Sequence, residues 1–165
     1  MRNIVKVTTN EDIILLAKKA DIVWHEYFKS ILSSEQIDYM VEKFQSEKAI
    51  TKQIEESGYE YYFIIEDNKI AGYTGIKKEE ETLFISKLYL LKEFRGKGLS
   101  SLCFEFIEDY LKKNNLKSMY LTVNKYNENS INVYKHWGFD IIRAEKNDIG
   151  NGFYMDDYIM EKSYV

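Results

Sequence analysis

The pattern of hydrophobic and polar positions divides the chain into a helical first third and a remainder in which strands and helices alternate. Up to residue 58, apolar residues recur at helical spacing, and serine or acidic residues stand where helices would begin. From Tyr59 onward, aromatic and β-branched runs typical of strands are separated by turn residues. The predicted strands are residues 3–8, 61–66, 69–76, 82–91, 118–123, about 139–146 and 153–161. The predicted helices are about 10–28, 33–44, 47–56, 99–113 and 128–137.

The order of these elements predicts a fold in the α/β (α+β) class. Strands that are grouped in threes and pairs, with helices between them, indicate a mixed central sheet covered by helices on both faces. A chain of 165 residues suits one hydrophobic core, and no repeat or linker divides it. We therefore expect a single domain over residues 1–165.

Composition and charge narrow the expected partners. A net charge of -4 and a pI near 5.4 give no general attraction to a phosphate backbone, so we expect a cationic small molecule rather than nucleic acid. The lone cysteine, Cys103, excludes an intrachain disulfide and a multi-cysteine cluster, and we expect no metal. The N-terminal residues do not read as a signal peptide, and no apolar run could span a membrane, so we expect a cytoplasmic protein.

Residues 95–100, with the sequence Arg-Gly-Lys-Gly-Leu-Ser, join a predicted strand to a predicted helix. Closely spaced glycines before a helix N-terminus are typical of phosphate sites, because the backbone can approach closely and the first helical amides are unpaired. The spacing excludes an ATPase loop, since Lys97 stands between two glycines. A dinucleotide loop fails too, because it needs a third glycine and an acidic residue on the next strand, which carries Thr122. A plain strand-to-helix turn is the remaining alternative.

Three motifs at matching separations resemble the GNAT family of N-acetyltransferases. Arg95, Gly98 and Ser100 occupy the places of the family's arginine or glutamine, its first glycine, and its final glycine or alanine. Residues 87–94 resemble the family's fourth strand and its approach to the loop, and residues 127–139 resemble its asparagine-to-tyrosine helix and closing Gly-Phe. Within the family the chain is most similar to small bacterial members that acetylate polyamines.

The resemblance implies a mostly antiparallel sheet of about seven strands, with acetyl-CoA in a gap where the fourth strand splays from the fifth. Backbone groups of residues 88–90 would bind the pantetheine arm, and the amides of residues 96–101 would bind the pyrophosphate. Lys97 and Arg95 would add positive charge, and Asn127 would hold the far side of the cofactor. The residues implied for cofactor binding are Leu88, Tyr89, Leu90, Arg95, Gly96, Lys97, Gly98, Leu99, Ser100, Ser101, Asn127 and Tyr134.

For the chemistry, the resemblance implies Tyr134 as the acid that protonates or hydrogen-bonds the departing thiolate, with aromatic core packing as the alternative. The chain departs from the family's pattern at two positions with small expected effect: Ser100 replaces a glycine or alanine, and Lys92 replaces a common proline. A third matters more, because Thr122 stands where some members carry a glutamate base, and a hydroxyl cannot take a proton from an ammonium near neutral pH. His25 is the candidate base, with a structural histidine as the alternative.

The acceptor side is predicted from Trp24, His25, Asp156 and Asp157, because carboxylates near the pocket favour a cationic amine. Core packing of the tryptophan and a solvated hairpin edge are the alternatives. We expect direct transfer from acetyl-CoA to a primary amine in a ternary complex, with a small amine or polyamine favoured. Acetylation of a protein N-terminus or lysine, a non-catalytic acetyl-CoA sensor or scaffold, and a mononucleotide-binding domain stay open, as does a homodimer.

Overall fold

The computed structural model describes residues 1–164 and contains seven strands and five α-helices in this part of the chain. The strands are β1 (Arg2–Lys6), β2 (Tyr59–Glu66), β3 (Lys69–Lys78), β4 (Thr82–Leu90), β5 (Ser118–Asn124), β6 (Asp140–Gly150) and β7 (Phe153–Ser163). The helices are α1 (Asn10–Phe28), α2 (Ser34–Gln45), α3 (Glu47–Glu56), α4 (Leu99–Lys113) and α5 (Glu128–His136), and a short 3-10 turn spans Lys92–Phe94.

The seven strands form one sheet in the order β1-β2-β3-β4-β5-β7-β6. Only the β4–β5 pair is parallel, and the five other neighbouring pairs are antiparallel. Helices α1, α2 and α3 contribute to the core on one face, and α4 and α5 contribute to the core on the other. The predicted α/β class with a mixed, mostly antiparallel sheet and helices on both faces is therefore confirmed.

Side chains at the helix starts cap the first backbone amides, and one of these caps shortens the first strand relative to the prediction. The side chains of Ser33 and Asn127 accept hydrogen bonds from the third backbone amide after them and cap α2 and α5. The first strand ends before the predicted Thr8, because Thr9 caps α1 in a reciprocal capping box with Asp12. That carboxylate also accepts a hydrogen bond from the backbone N–H of Thr8 at 3.0 Å, which draws Thr8 away from the strand.

The β4 strand carries an irregularity that opens the sheet. Ile76 faces Ile85 and Gly75 faces Lys87 across the β3–β4 ladder, so Ser86 is one extra residue on β4. A β-bulge bends its strand and disrupts pairing locally. Residues 82–85 of β4 pair with residues 118–121 of β5, and the two strands are unpaired beyond that point. The rest of β4 therefore borders a gap in the middle of the sheet.

Gly72 holds β3 close to the far side of β4. A side-chain carbon at this position would lie 2.1 Å from the carbonyl oxygen of Tyr89, so only glycine fits. The contact fixes residues 88–90 against β3 although β5 has moved away. Within residues 1–164, no helix combines the length and the apolar character that a membrane crossing would require.

Candidate active site

A cleft with a volume of about 540 Å³ lies beside the β4–β5 gap. It lies between the end of α1, the splayed half of β4, the segment that follows β4, and the start of α5. Leu88 and Leu90 line it from the strand, Tyr134 lines it from α5, and Asn127 lines it from the cap of that helix. Its other lining residues are Glu26, Tyr27, Ser30, Ile31, Arg95, Gly96, Ser100, Tyr126, Glu128, Asn129, Ser130, Val133 and Trp137. We call this space the donor cleft.

The loop over residues 95–98 presents unpaired backbone amides at one end of the donor cleft. Gly96 and Gly98 have φ angles of 77° and 81°, in the left-handed region that glycine adopts without strain. In the described part of the chain, no protein group accepts a hydrogen bond from the backbone N–H groups of residues 96–101. These N–H groups precede or open α4, where the helix dipole also favours an anion. The loop thus has the chemistry of a phosphate site.

Charged side chains around the loop divide into two groups. Lys97 is exposed on the loop, and its backbone carbonyl accepts a 2.7 Å hydrogen bond from Arg2. Arg95 instead turns inward: its Nε donates to the carbonyl of Leu90 at 3.2 Å, and its guanidinium lies 4.3 Å from the ring centre of Tyr27. Arg95 Nη2 also lies 3.7 Å from the Glu26 carboxylate. In this arrangement Arg95 joins the loop to α1 and is not directed at the predicted phosphate position.

Two predicted residues, Tyr134 of α5 and its cap Asn127, lie in the wall between the donor cleft and a second, smaller cavity. The Asn127 side-chain oxygen accepts the cap hydrogen bond from Ser130, which leaves its NH2 group available to a ligand. The Tyr134 ring packs against Trp137 and Phe139. Its hydroxyl has no hydrogen-bond partner among residues 1–164. Burial, with the phenol of Tyr27 nearby, raises the pKa of Tyr134 above its ordinary value and keeps the hydroxyl protonated.

The second cavity, the acceptor cavity, has a volume of about 70 Å³. A cavity of this size can hold a small acceptor molecule but not a bulky one. Its walls are largely aromatic, and Trp24 contributes a ring whose Nε1 donates to the Tyr73 hydroxyl at 2.9 Å. The lining residues are Trp24, Phe28, Ser86, Lys87, Tyr89, Thr122, Val123, Asn124, Asn127, Ser130, Tyr134, Met155 and Asp157.

Asp157 brings a buried carboxyl group to this cavity. The residue is only 5% exposed, and its Oδ1 is buried with no hydrogen-bond partner within the described residues. Burial and the nearby charges of Asp156 and Glu145 raise the pKa of Asp157 to about 6. The sequence-based prediction named both neighbouring aspartates, and the structure separates them. Asp156 does not line the cavity, because its side chain pairs with Lys125 at 2.9 Å.

Lys87 also lines the acceptor cavity, and the sequence analysis did not single it out. Its Nζ donates to the Ser86 hydroxyl at 2.6 Å and to the Ser86 carbonyl at 3.1 Å, and lies 5.9 Å from the Trp24 ring centre. Burial lowers the pKa of Lys87 to about 8. The available signal was that Lys87 is the only charged residue of strand β4, which is central in the sheet.

His25, the predicted base, lines neither the donor cleft nor the acceptor cavity. Its Nδ1 lies 2.8 Å from the carbonyl of Asp21, and its Nε2 lies 2.6 Å from the carboxylate of Asp38 on α2. The backbone contact, followed by the two carboxylates, raises the pKa of His25. Trp24 is the buried neighbour that faces the sheet, and the next helical position points about 100° away. The structure therefore does not bring His25 to Tyr134.

The chain is similar in sequence to known acetyltransferases. The model of the Acetyltransferase (GNAT) family matches residues 22–139. A Lactobacillus delbrueckii subsp. lactis protein, described as an uncharacterized N-acetyltransferase in the pepI 3' region, is 28% identical over 141 residues, and the match covers 81% of each chain.

Solved structures that share the fold include two with the cofactor or its product bound. The PaiA N-acetyltransferase from Thermoplasma acidophilum, in complex with coenzyme A, is 21% identical, with a TM-score of 0.82 over 99% of both chains. A GNAT family acetyltransferase from Elizabethkingia anophelis with acetyl-CoA bound is 18% identical, with a TM-score of 0.62 over 98% of this chain and 97% of that one. The family resemblance is confirmed, because the family model covers more than half of the sequence. The chain belongs to the GNAT family of acetyltransferases.

Proposed function

We propose that the protein moves an acetyl group from acetyl-CoA directly to a small primary amine, with both substrates bound together. One observation carries the proposal. Tyr134 lies in the wall shared by the donor cleft, which ends at unpaired loop amides, and the acceptor cavity, which contains a carboxylate. A thioester held in the cleft and an amine held in the cavity would meet beside this hydroxyl.

The donor cleft fits acetyl-CoA in its chemistry. The free amides of residues 96–101 suit the pyrophosphate, and exposed Lys97 adds a positive charge close by. Residues 88–90 border the open gap with β5 and suit the amide-containing pantetheine arm as a replacement strand. The Asn127 amide group would bind the opposite side. Coenzyme A in the Thermoplasma protein and acetyl-CoA in the Elizabethkingia protein support this choice of donor.

Proton transfer on the acceptor side is assigned to Asp157 rather than His25. An alkylammonium has a pKa near 10 and must lose a proton before its nitrogen can attack. The carboxylate of Asp157 can hold the ammonium and accept that proton. Because the pKa of Asp157 is about 6, the mismatch with the ammonium is about two units smaller than for an ordinary aspartate. Thr122 lines the same cavity but offers only a hydroxyl.

Tyr134 acts at the leaving group. The amine nitrogen forms a bond to the acetyl carbon, the carbon–sulfur bond breaks, and the electron pair of that bond leaves on the thiolate. The Tyr134 hydroxyl, kept protonated, donates a hydrogen bond or its proton to the sulfur. The attacking nitrogen loses a second proton as it becomes the amide, and this proton restores the Tyr134 hydroxyl or, where that hydroxyl only donates a hydrogen bond, protonates the thiolate. Acetylation of a lysine side chain or a protein N-terminus uses the same steps, so peptides that offer these groups are included in the test described next.

The proposal is tested by thiol release from acetyl-CoA with a panel of small amines, peptides with free N-termini and lysine peptides. We expect small primary amines to stimulate release above the rate with acetyl-CoA alone, and the product to gain one acetyl group by mass. Binding of acetyl-CoA without stimulation by any acceptor would instead indicate a non-catalytic sensor. Thermal stabilisation by ATP or NAD but not by acetyl-CoA would contradict the donor assignment.

A further inference from the structure

The acceptor cavity contains two groups of opposite charge, and within residues 1–164 neither forms an ion pair with an oppositely charged group. Asp157 lies on β7 and Lys87 lies on β4, so the two approach the cavity from opposite sides of the β4–β5 gap. The charged neighbours that act on Asp157 are Asp156, Glu145 and Lys125, and Lys87 is not among them. The two charges therefore do not neutralise each other across the cavity.

The ammonium of Lys87 is costly in its present surroundings. Within residues 1–164, no carboxylate lies within 4.0 Å of its Nζ, and its hydrogen bonds go only to the neutral oxygens of Ser86. The Trp24 ring adds a cation–π contact but no negative charge. A charge withdrawn from water without a counter-ion, as in this half-buried side chain, is unfavourable unless a ligand supplies one. An anionic group on the acceptor would supply it.

Asp157, in contrast, lacks a positively charged partner. Its Oδ1 is buried and unpartnered within the described residues, and the nearby cation Lys125 is already 2.9 Å from Asp156. A substrate ammonium would give this oxygen both a hydrogen bond and a positive charge. A diamine could satisfy Asp157 with one end. Its second ammonium would then share a narrow cavity with Lys87, and like charges at short distance repel.

We infer that the preferred acceptor is a small amine that also carries a carboxylate, bound with its ammonium at Asp157 and its acid group at Lys87. This inference rests on the proposed function, since it names the acceptor of the same reaction. It replaces the polyamine preference expected from the sequence. A carboxylate suits a cavity of about 70 Å³ better than a bulkier acidic group.

The test compares matched acceptors over a series of chain lengths with the wild-type enzyme. Each diamine is paired with the amino acid in which a carboxylate replaces the terminal aminomethyl group, and with the corresponding uncharged alkylamine. We expect kcat/KM for the best amino acid to exceed that of its matched diamine by at least about tenfold, as expected for a pair of buried charges. Equal values, or faster acetylation of the diamines, would overturn the inference while leaving the acetyltransferase proposal intact. No stimulation by any amine would contradict both.

Two variants test whether Lys87 causes the preference for an amino acid over a diamine. Lys87→Met removes the charge at similar length and should lower the amino acid to diamine ratio of kcat/KM by about tenfold, with acetyl-CoA affinity within a few-fold of wild type. Lys87→Arg keeps the charge and should retain the preference for the amino acid. A ratio that is unchanged in Lys87→Met would overturn the role of Lys87. If that variant fails to melt cooperatively, the wild-type series decides alone.

Discussion

The donor cleft and the acceptor cavity lie on either side of Tyr134 but are built in different ways. Backbone makes the functional surface of the donor cleft: the loop amides of residues 96–101 and the free edge of β4. Side chains from α1, β4, β5, α5 and β7 make the acceptor cavity. Backbone geometry here follows from a short local motif, whereas the cavity depends on which side chains distant elements bring together. The donor can therefore be common to many relatives while the acceptor differs.

The largest expected effect comes from distorting the backbone of the donor cleft. Gly98→Val forces a β-branched residue into a φ of 81°, so the loop must change shape and the amides lose their common direction. A side-chain carbon would meet only Arg2 at 3.7 Å, so the effect comes from backbone conformation and not from a clash within the protein. We expect acetyl-CoA binding to fall below detection in isothermal titration calorimetry.

The matched control is Gly152→Val, in the turn between β6 and β7. Gly152 has a φ of 78° and no atom within 4 Å of an added side-chain carbon, so the strain is similar but lies outside both cavities. We expect comparable loss of thermal stability and unchanged acetyl-CoA affinity. Normal affinity in Gly98→Val would contradict the assignment of the loop.

The next largest effect is expected at Tyr134, between the two cavities, where a substitution should slow the reaction without weakening acetyl-CoA binding. Tyr134→Phe removes only the hydroxyl, so kcat should fall by about a hundredfold, as for loss of a general acid, while the Kd for acetyl-CoA stays within a few-fold. Tyr126→Phe is the control, because Tyr126 lines the donor cleft alone and is 69% exposed. An unchanged kcat in Tyr134→Phe would remove this residue from the mechanism.

Two neighbouring aspartates allow a sharp test of the acceptor cavity. Asp157→Asn should lower kcat/KM for the amine by about tenfold or more, because the amide cannot accept the proton. The Asp156→Asn variant changes a carboxylate that pairs with Lys125 outside the cavity, and it should have a small effect.

The pH dependence of the wild type adds to this test. The active form of Asp157 is the carboxylate, and its pKa is about 6, so kcat/KM should fall as the pH drops through about 6. Asp157→Asn should lose that acidic limb, while the dependence on amine ionisation at higher pH persists. An acidic limb that is identical in both proteins would assign the titration to another group.

The smallest expected effect concerns stability. The pKa of Lys87 falls from 10.5 to about 8 on folding, so its burial disfavours the folded state below pH 8, where both states are charged. Lys87→Met should therefore raise the free energy of unfolding by about 1 to 3 kcal/mol near neutral pH. The gain should shrink as pH rises from about 8 to 10.5, because the wild-type folded state then releases the proton first. Exposed Lys69→Met should change stability little in the same denaturant titrations.

Sequence patterns predicted the donor side because its determinants are close together in the chain. The glycines at 96 and 98, the start of α4 and the Asn127 cap each follow from a few neighbouring residues. The seven strands and their helices were predicted for the same reason. The main difference in the first strand arose because strand-like alternation continues through Thr8, whereas the capping box of Thr9 and Asp12 depends on side-chain geometry.

Which side chains line the acceptor cavity depends on how β4 and β7 pair with their neighbouring strands, and this register cannot be read from the sequence. The bulge at Ser86 reverses the side-chain alternation of β4, so Leu88 joins the α4 face together with Ile85, and Lys87 and Tyr89 face the acceptor cavity. Asp156 and Asp157 are the same residue type at adjacent positions, and only the pairing of β7 with β5 shows which one faces the cavity.

The central claim is that acetyl passes directly from the donor cleft to an amine in the acceptor cavity, across Tyr134. A matrix of initial rates, with acetyl-CoA and the best amine both varied, tests this most directly. Direct transfer requires both substrates on the enzyme at once, so the double-reciprocal plots should intersect. Parallel lines, showing an acetylated enzyme as the intermediate, would contradict the account.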